Sequence, residues 1–155
     1  MERESFLENL DRKQKAKAGE LKALIPSVLS GGIFSLDFRD TLDSNQPKPE
    51  NSRAENYFHD QKIVGSVKIS KEEAEEILEQ ILLGLEEESS AWMCFYPRHG
   101  FKVAFENSTV EFLICFQCGS LWIYDDSGVD DFLTSTRADR FFHNILKENG
   151  IPEIQ

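Results

Sequence analysis

Four short apolar segments between residues 92 and 124 are joined by links of three or four residues, and this spacing constrains the fold more than any other feature of the chain. The segments are Trp92–Tyr96, Phe101–Phe105, Val110–Gln117 and Leu121–Tyr124. Links this short connect antiparallel neighbours, so the sequence predicts a four-stranded meander. The third segment is apolar on both faces, which favours a place in the middle of the sheet.

The chain before the meander contains a helical segment, a strand and a polar loop. Residues 1–30 carry apolar side chains on both sides of a charged middle, which predicts one long or two short helices. We expect Pro26 to kink or end this helical segment and the Gly31-Gly32 pair to mark a stop. Residues 33–38 alternate between apolar and polar side chains, as in a strand. Residues 40–57 are polar, contain two prolines and have no apolar period, which predicts a mobile loop.

A second strand and the clearest helix follow the loop. The strand is Ile63–Ile69, where apolar and polar residues alternate again. Ser70 and Glu73 then form an S-x-x-E capping box, which is typical of a helix N-terminus. Thr136 and Asp139 offer the start of a last helix. The apolar residues after the capping box recur every three or four positions, at Ala74, Ile77, Leu78, Ile81, Leu82 and Leu85.

These elements predict one α+β domain over residues 1–155, with its core in residues 58–153. The antiparallel β-sheet would contain the four-stranded C-terminal meander plus one or two N-terminal strands. A helix with a single apolar stripe must bury that stripe against another element. We therefore expect the helices to pack on one face of the sheet.

The charge of the chain argues against two classes of partner. The net charge is −11, from 28 acidic and 17 basic residues. Eight glutamates fall in residues 71–88 and four aspartates in residues 125–131. Nucleic-acid binding depends on Lys and Arg that neutralise phosphates, so neither nucleic acid nor an anionic membrane is an expected partner. The acidic patches either solvate the surface or bind a basic partner.

Three features predict a cytoplasmic location. No apolar run approaches the roughly 20 residues that span a bilayer. The first 30 residues lack the continuous apolar region of a secretory signal. The chain has three cysteines, and an odd number fits a reducing compartment better than a disulfide framework.

The segment from residue 94 to residue 118 contains a candidate metal site. Cys94, His99, Cys115 and Cys118 have the spacing C-x4-H-x15-C-x2-C. Four thiolate and imidazole ligands of this kind are what zinc takes in a tetrahedral site. Zinc knuckles, however, usually present C-x-x-C in a tight glycine-containing turn, whereas Cys115 lies within a predicted strand. The favoured prediction is therefore a protein without a cofactor, and zinc binding is the alternative.

The C-x-x-C pair also allows a redox function. In a thioredoxin-type motif the pair opens a helix, whose N-terminus lowers the pKa of the thiol. Here Cys115 and Cys118 lie at a strand end, so pairing would need a bend at Gln117 or Cys118. Free cysteine is among the most buried residue types, and core packing is the favoured interpretation of all three thiols.

Pro97 and Gly100 are turn residues that would hold Arg98 and His99 at the exposed tip of a hairpin. At such a tip the two side chains could bind an anion, or form an enzyme site together with a carboxylate such as Glu111. Alternatively, the turn is structural and His99 folds back on the sheet. No placed nucleophile accompanies them, so no catalytic residue is assigned.

These residues also carry a resemblance to a family of uncharacterised bacterial proteins. The shared pattern is a CF-x-PRHG turn, a later ICF-x-C segment and a terminal helix that ends in Gly-hydrophobic-Pro. In this chain the pattern is found at 94–100, 114–118 and 150–152. The resemblance covers roughly residues 58–153, implies one intact domain there, and implies no particular activity.

We therefore expect a small, acidic protein-interaction module without catalytic activity, in an immunity-type or regulatory role with a protein partner. This expectation follows from the size, the acidity and a helix-backed sheet with an open face, and fold alone does not establish it. The alternatives are a zinc-binding protein that uses the four candidate ligands, and an enzyme with an Arg98/His99 site.

Overall fold

The computed structural model describes residues 2–41, 56–87 and 96–154. Within these ranges the chain forms three α-helices, namely α1 (Glu2–Leu24), α2 (Lys71–Glu86) and α3 (Asp139–Glu148). The strands there are β1 (Val28–Thr41), β2 (Tyr57–Phe58), β3 (Gln61–Ile69), β4 (His99–Phe105), β5 (Thr109–Cys115), β6 (Ser120–Asp125) and β7 (Gly128–Leu133). None of the helices in the described ranges is both long enough and apolar enough to cross a membrane.

The seven strands form one antiparallel sheet in the order β2-β3-β1-β4-β5-β6-β7. The α+β fold with a C-terminal meander is confirmed. The N-terminal half contributes three strands to the described sheet rather than one or two, because the two-residue β2 is too short to leave an alternating pattern. β5 lies in the interior as expected, although the central strand is its neighbour β4.

The meander is displaced along the chain relative to the prediction. Its expected first segment, Trp92–Tyr96, lies outside the described residues apart from Tyr96, which is not in a strand. The fourth strand is instead β7. Two of its six residues are aspartates, so its sequence resembled a polar turn. Gly128 has a φ of +120° and pairs with Asp125 across a tight turn, and Phe132 of β7 is buried in the core.

α1 ends before Pro26, as predicted, but the Gly31-Gly32 pair lies within β1 rather than in a break before it. A Cβ added to Gly31 would lie 3.0 Å from Cβ of Ala74 and 3.0 Å from the carbonyl oxygen of Lys102. The glycine therefore allows α2 to pack closely against the sheet. Of the predicted loop, residues 42–55 lie outside the described residues, while its ends belong to β1 and β2.

The predicted capping box starts α2. The backbone N–H of Glu73 donates to Oγ of Ser70 over 3.1 Å, and the backbone N–H of Ser70 donates to Oε1 of Glu73 over 3.2 Å. These bonds satisfy donors that a helix N-terminus otherwise leaves free. The buried stripe contains all six predicted apolar residues, Ala74, Ile77, Leu78, Ile81, Leu82 and Leu85.

The main core lies between the helices and one face of the sheet. It contains Leu21 of α1, the stripe of α2, Phe142 of α3 and inward residues of the strands such as Phe101 and Phe112. The prediction that the helices pack on one face is therefore confirmed. The opposite face carries a smaller cluster, in which Leu36, Phe58 and Leu113 are buried.

Candidate functional site

Arg98 and His99, which the sequence indicated as one candidate site, lie on opposite faces of the sheet. His99 pairs with Ile114 across β4 and β5, so the two side chains share the face that the helices cover. Its ring lies 5.4 Å from that of Phe142. Arg98 precedes it and lies on the other face, with its guanidinium 4.5 Å from the ring centre of Phe38. Successive residues of an extended chain point to opposite faces, so Arg98 and His99 do not form one site.

The predicted hairpin tip is not found at these positions. His99 is only 6% exposed, and with Gly100 it begins β4 in the interior of the sheet. A Cβ added to Gly100 would lie 2.8 Å from the ring of Phe58, so this glycine serves close packing and not a turn. The expected carboxylate, Glu111, lies elsewhere, with Oε1 3.6 Å from Nε2 of His59.

His99 instead has a carboxylate partner that no local pattern indicated. Its Nε2 lies 2.6 Å from Oε1 of Glu153, and Nδ1 of His143 lies 2.5 Å from Oε2 of the same carboxylate. An ionised carboxylate can only accept, so both ring nitrogens that face it donate. The hydrogen bond from His99 holds the pKa of Glu153 below its ordinary value, against the effect of burial.

The imidazole–carboxylate pair resembles the base-and-orienter arrangement of hydrolytic enzymes in its geometry. The remaining nitrogen, Nδ1 of His99, is however buried and has no hydrogen-bond partner among the described residues. A substrate proton cannot reach it without a structural change. The pair therefore fixes the segment after α3, which is also held where Oγ of Ser35 donates to the carbonyl oxygen of Pro152 over 2.6 Å.

Cys115 and Cys118 form a disulfide across the turn between β5 and β6. The bend that pairing required is present, and Gly119 completes it with a φ of +69°. The backbone N–H of Cys118 donates to Sγ of Cys115 over 3.1 Å, and Nη1 of Arg98 lies 4.0 Å from the same sulfur. A positive charge and a backbone donor would both stabilise a thiolate at Cys115 after reduction. The expectation of free core thiols therefore does not hold for this pair, although both residues are buried.

The four candidate zinc ligands are not assembled among the described residues. Cys94 lies outside them, Cys115 and Cys118 are bonded to each other, and His99 faces the helices with Glu153 as its partner. Within the described ranges, no group of three or more His, Cys, Asp or Glu residues is arranged to hold a metal ion. A zinc site would first require reduction of the disulfide, and it stays a prediction.

The two acidic patches differ in how far they are neutralised. Near β7, Lys17 lies 2.7 Å from Asp125 and Lys13 lies 3.1 Å from Asp130, so α1 supplies basic partners. On α2, Arg137 pairs with Glu87 at the C-terminal end. The remaining exposed glutamates of α2 form a face of one sign, which comprises Glu72, Glu73, Glu76, Glu79 and Glu86.

A groove with an apolar floor lies beside this acidic face, between the C-terminal end of α1 and α2. Its volume is about 260 Å³. Leu83 lies in the groove and is 42% exposed, although it belongs to a helix whose other large apolar side chains are buried. Its lining is completed by Lys22, Ile25, Glu79, Leu82 and Glu86. We call this feature the α1/α2 groove.

Comparison with protein-family models, with curated proteins and with solved structures found no match to this chain. The resemblance to a bacterial family therefore stays a prediction. Sequence reasoning also missed two features of the site. Glu153 is 54 residues away from His99, and no local pattern links them. Leu83 could have been found, because it departs from the buried stripe of an otherwise acidic helix face.

Proposed function

We propose that this protein is an interaction module without catalytic activity of its own, and that it binds a basic, amphipathic segment of a partner protein in the α1/α2 groove. The observation that carries the proposal is the position of Leu83. This large apolar side chain is 42% exposed and lines a groove whose rim includes two glutamates. The charged side chains of Glu79, Glu86 and Lys22 surround this apolar contact, which is the pattern of an interface with a polar rim.

The energetics favour a segment that is both apolar and basic. Removing an aliphatic side chain such as Leu83 from water stabilises a complex by about 1 kcal/mol or more. Glu79 and Glu86 would pair with Lys or Arg of the partner, and the net charge of −11 would speed its approach. Rim charges of this kind set association rate and specificity more than affinity, so the leucine contact supplies the stabilisation.

The experiment measures binding of a synthetic helical peptide by fluorescence anisotropy. The peptide carries leucines at positions i, i+3, i+4 and i+7 and lysines elsewhere, and a scrambled peptide of the same composition lacks the apolar stripe. We expect the striped peptide to bind the wild-type protein about tenfold more tightly than the scrambled one. Equal affinity for both peptides would reduce the interaction to non-specific charge attraction and overturn the proposal.

Matched variants locate the binding site. The double variant Glu79→Lys with Glu86→Lys reverses two charges on the rim of the groove. The control variant, Glu72→Lys with Glu76→Lys, makes the same change in charge on the same helix but outside the groove. Leu83→Ser removes the exposed apolar contact without a change in charge. The proposal requires the rim pair and Leu83→Ser to weaken binding more than the control pair does. An equal effect of the two charge pairs would contradict it.

A further inference from the structure

The face of the sheet away from the helices contains a trough that the proposed function does not use. Gly32 of β1 pairs with Lys68 of β3 on one side and with Lys102 of β4 on the other. The three residues form one row across three strands, and their side-chain positions share a face. Gly32 has no side chain, so the row is low in its centre and carries a lysine at each end.

The trough is half open to solvent and is large enough to hold a small molecule. Its volume is about 600 Å³, within the usual range for ligand pockets. Phe34 follows Gly32 on the same face of β1 and supplies an apolar wall, and its ring is held by stacking on Phe58 at 4.5 Å. Ser30 and Ser66 add hydroxyl groups to the lining.

The charge of the trough contrasts with that of the rest of the molecule. Five lysines of the described ranges lie within 3.9 Å of a carboxylate, namely Lys13, Lys15, Lys17, Lys62 and Lys71. Lys68 and Lys102, like Lys22 and Lys147, make no ion pair with any residue that the structure describes. The carboxylate across the strand pair from Lys102 is that of Glu111, which lies 3.6 Å from His59. His59 chiefly holds the pKa of Glu111 below its ordinary value, and the charge of Lys102 contributes to the same effect. Two lysines therefore flank one glycine, and among the described residues no carboxylate lies within 4.0 Å of either ammonium group.

We infer that this trough binds an organic phosphate monoester with a flat apolar body. Two strand spacings put the Cα atoms of Lys68 and Lys102 about 10 Å apart, and their flexible stems allow both ammonium groups to reach one anion above Gly32. A phosphate monoester carries close to two negative charges at pH 7 and offers three acceptor oxygens, which matches two ammonium and two hydroxyl groups. Its apolar body would lie against Phe34.

A compact anion fits this protein better than a nucleic acid. A polyanion would extend beyond the two lysines and meet a surface whose net charge is −11. Affinity for nucleic acid requires many phosphate contacts, each from a basic side chain. The trough offers two such side chains, so it selects a ligand whose charge is concentrated at one end.

The test uses phenyl phosphate as the probe, with inorganic phosphate for comparison, at pH 7.5 and low ionic strength. Titration of the ¹⁵N-labelled protein should shift the amide resonances of Gly32, Phe34 and Lys102, and phenyl phosphate should bind more tightly than inorganic phosphate. No localised shift at 10 mM phenyl phosphate, a concentration at which even the weakest binding of about 1–10 mM is detectable, would overturn the inference.

Variants separate binding in the trough from general attraction to lysine. Lys68→Gln with Lys102→Gln should weaken binding by about tenfold or more, because both charge-assisted contacts are lost. Lys62→Gln, on the same strand β3 but outside the trough, should leave the affinity unchanged. Unaltered binding by the double variant would contradict the inference.

A second variant fills the trough without a change in charge. A Cβ at Gly32 would meet only the carbonyl oxygen of Val67 at 3.6 Å and the ring of Phe34 at 4.0 Å, both ordinary van der Waals contacts. Gly32→Val also introduces a residue type that is common in strands. This variant should fold and should lose phenyl phosphate binding. If it binds as the wild-type protein does, the ligand lies elsewhere.

Discussion

Oε1 of Glu153 lies 2.6 Å from Nε2 of His99, and this contact ties the segment after α3 to the start of β4. The pKa of Glu153 is held below its ordinary value of 4.5, chiefly by the hydrogen bond from His99. A carboxylate whose pKa is lower in the folded state contributes stability above the unfolded pKa, and this contribution is lost as the pH falls through the folded pKa.

The first prediction concerns Glu153→Gln. At pH 7 we expect the variant to be less stable than the wild-type protein by about 1–3 kcal/mol, because it loses a charge-assisted acceptor for two imidazoles. The difference should begin to shrink near pH 4.5 and should vanish as the pH falls through the lower pKa of the folded state, where the folded wild-type carboxylate also becomes protonated. Urea unfolding at several pH values measures it, with Glu148→Gln of α3 as the control. A difference that is constant from pH 7 to pH 3 would contradict the assignment.

The second prediction concerns the disulfide. The chain has three cysteines, two of which are bonded as Cys115–Cys118. Alkylation in denaturant without reductant should therefore add one label, and alkylation after reduction should add three. Mass spectrometry distinguishes the two outcomes. Three labels without reductant would show free thiols, as expected for a protein from a reducing compartment.

The third prediction concerns the stability that this disulfide supplies. Closing so short a loop stabilises the folded state by about 2 kcal/mol in the chain-entropy account. The double variant Cys115→Ala with Cys118→Ala should unfold at correspondingly lower urea concentration than the oxidised wild-type protein. Reduced wild-type protein should fall to a similar stability. A variant as stable as the oxidised protein would mean that the bond contributes nothing.

The fourth prediction compares two adjacent glycines on opposite faces of β1. Gly31→Ala places a methyl group 3.0 Å from both Ala74 and the Lys102 carbonyl, and should destabilise the protein by about 1–3 kcal/mol. Gly32→Ala meets nothing closer than 3.6 Å, so its stability should stay equal or rise by about 0.5 kcal/mol. Thermal unfolding of the two variants checks this order. The reverse order would contradict the packing of α2 on β1.

Local sequence patterns correctly predicted those elements whose structure depends mainly on their own residues. The capping box of Ser70 and Glu73 and the apolar period after it define α2 without reference to the rest of the chain. The alternation of residues 63–69 likewise gave β3. Short links correctly predicted that β4, β5 and β6 are neighbours, since loop length limits which strands can pair. The predicted turn at 97–100 was wrong, because His99 and Gly100 belong to β4.

The remaining features depend on contacts between distant segments. β7 was not predicted because its two aspartates interrupt the apolar pattern. An edge strand tolerates such residues, since it can expose polar side chains on its open face and edge. Gln14 is another case, since its side chain donates to the carbonyl oxygen of Leu85 over 2.8 Å and accepts from the backbone N–H of Leu133 over 2.7 Å. A glutamine within a charged helical segment gives no sign that it joins three elements. The partner of His99 was missed for the same reason.

The most direct test of the central claim is a map of where the striped basic peptide binds. In a ¹⁵N titration, the account predicts the largest amide shifts at the α1/α2 groove, at Ile25, Leu82, Leu83 and Glu86, with little change at Gly32 or Lys102. Shifts spread evenly over every acidic segment, including Asp126 and Asp131, would show attraction without a binding site and would contradict the account.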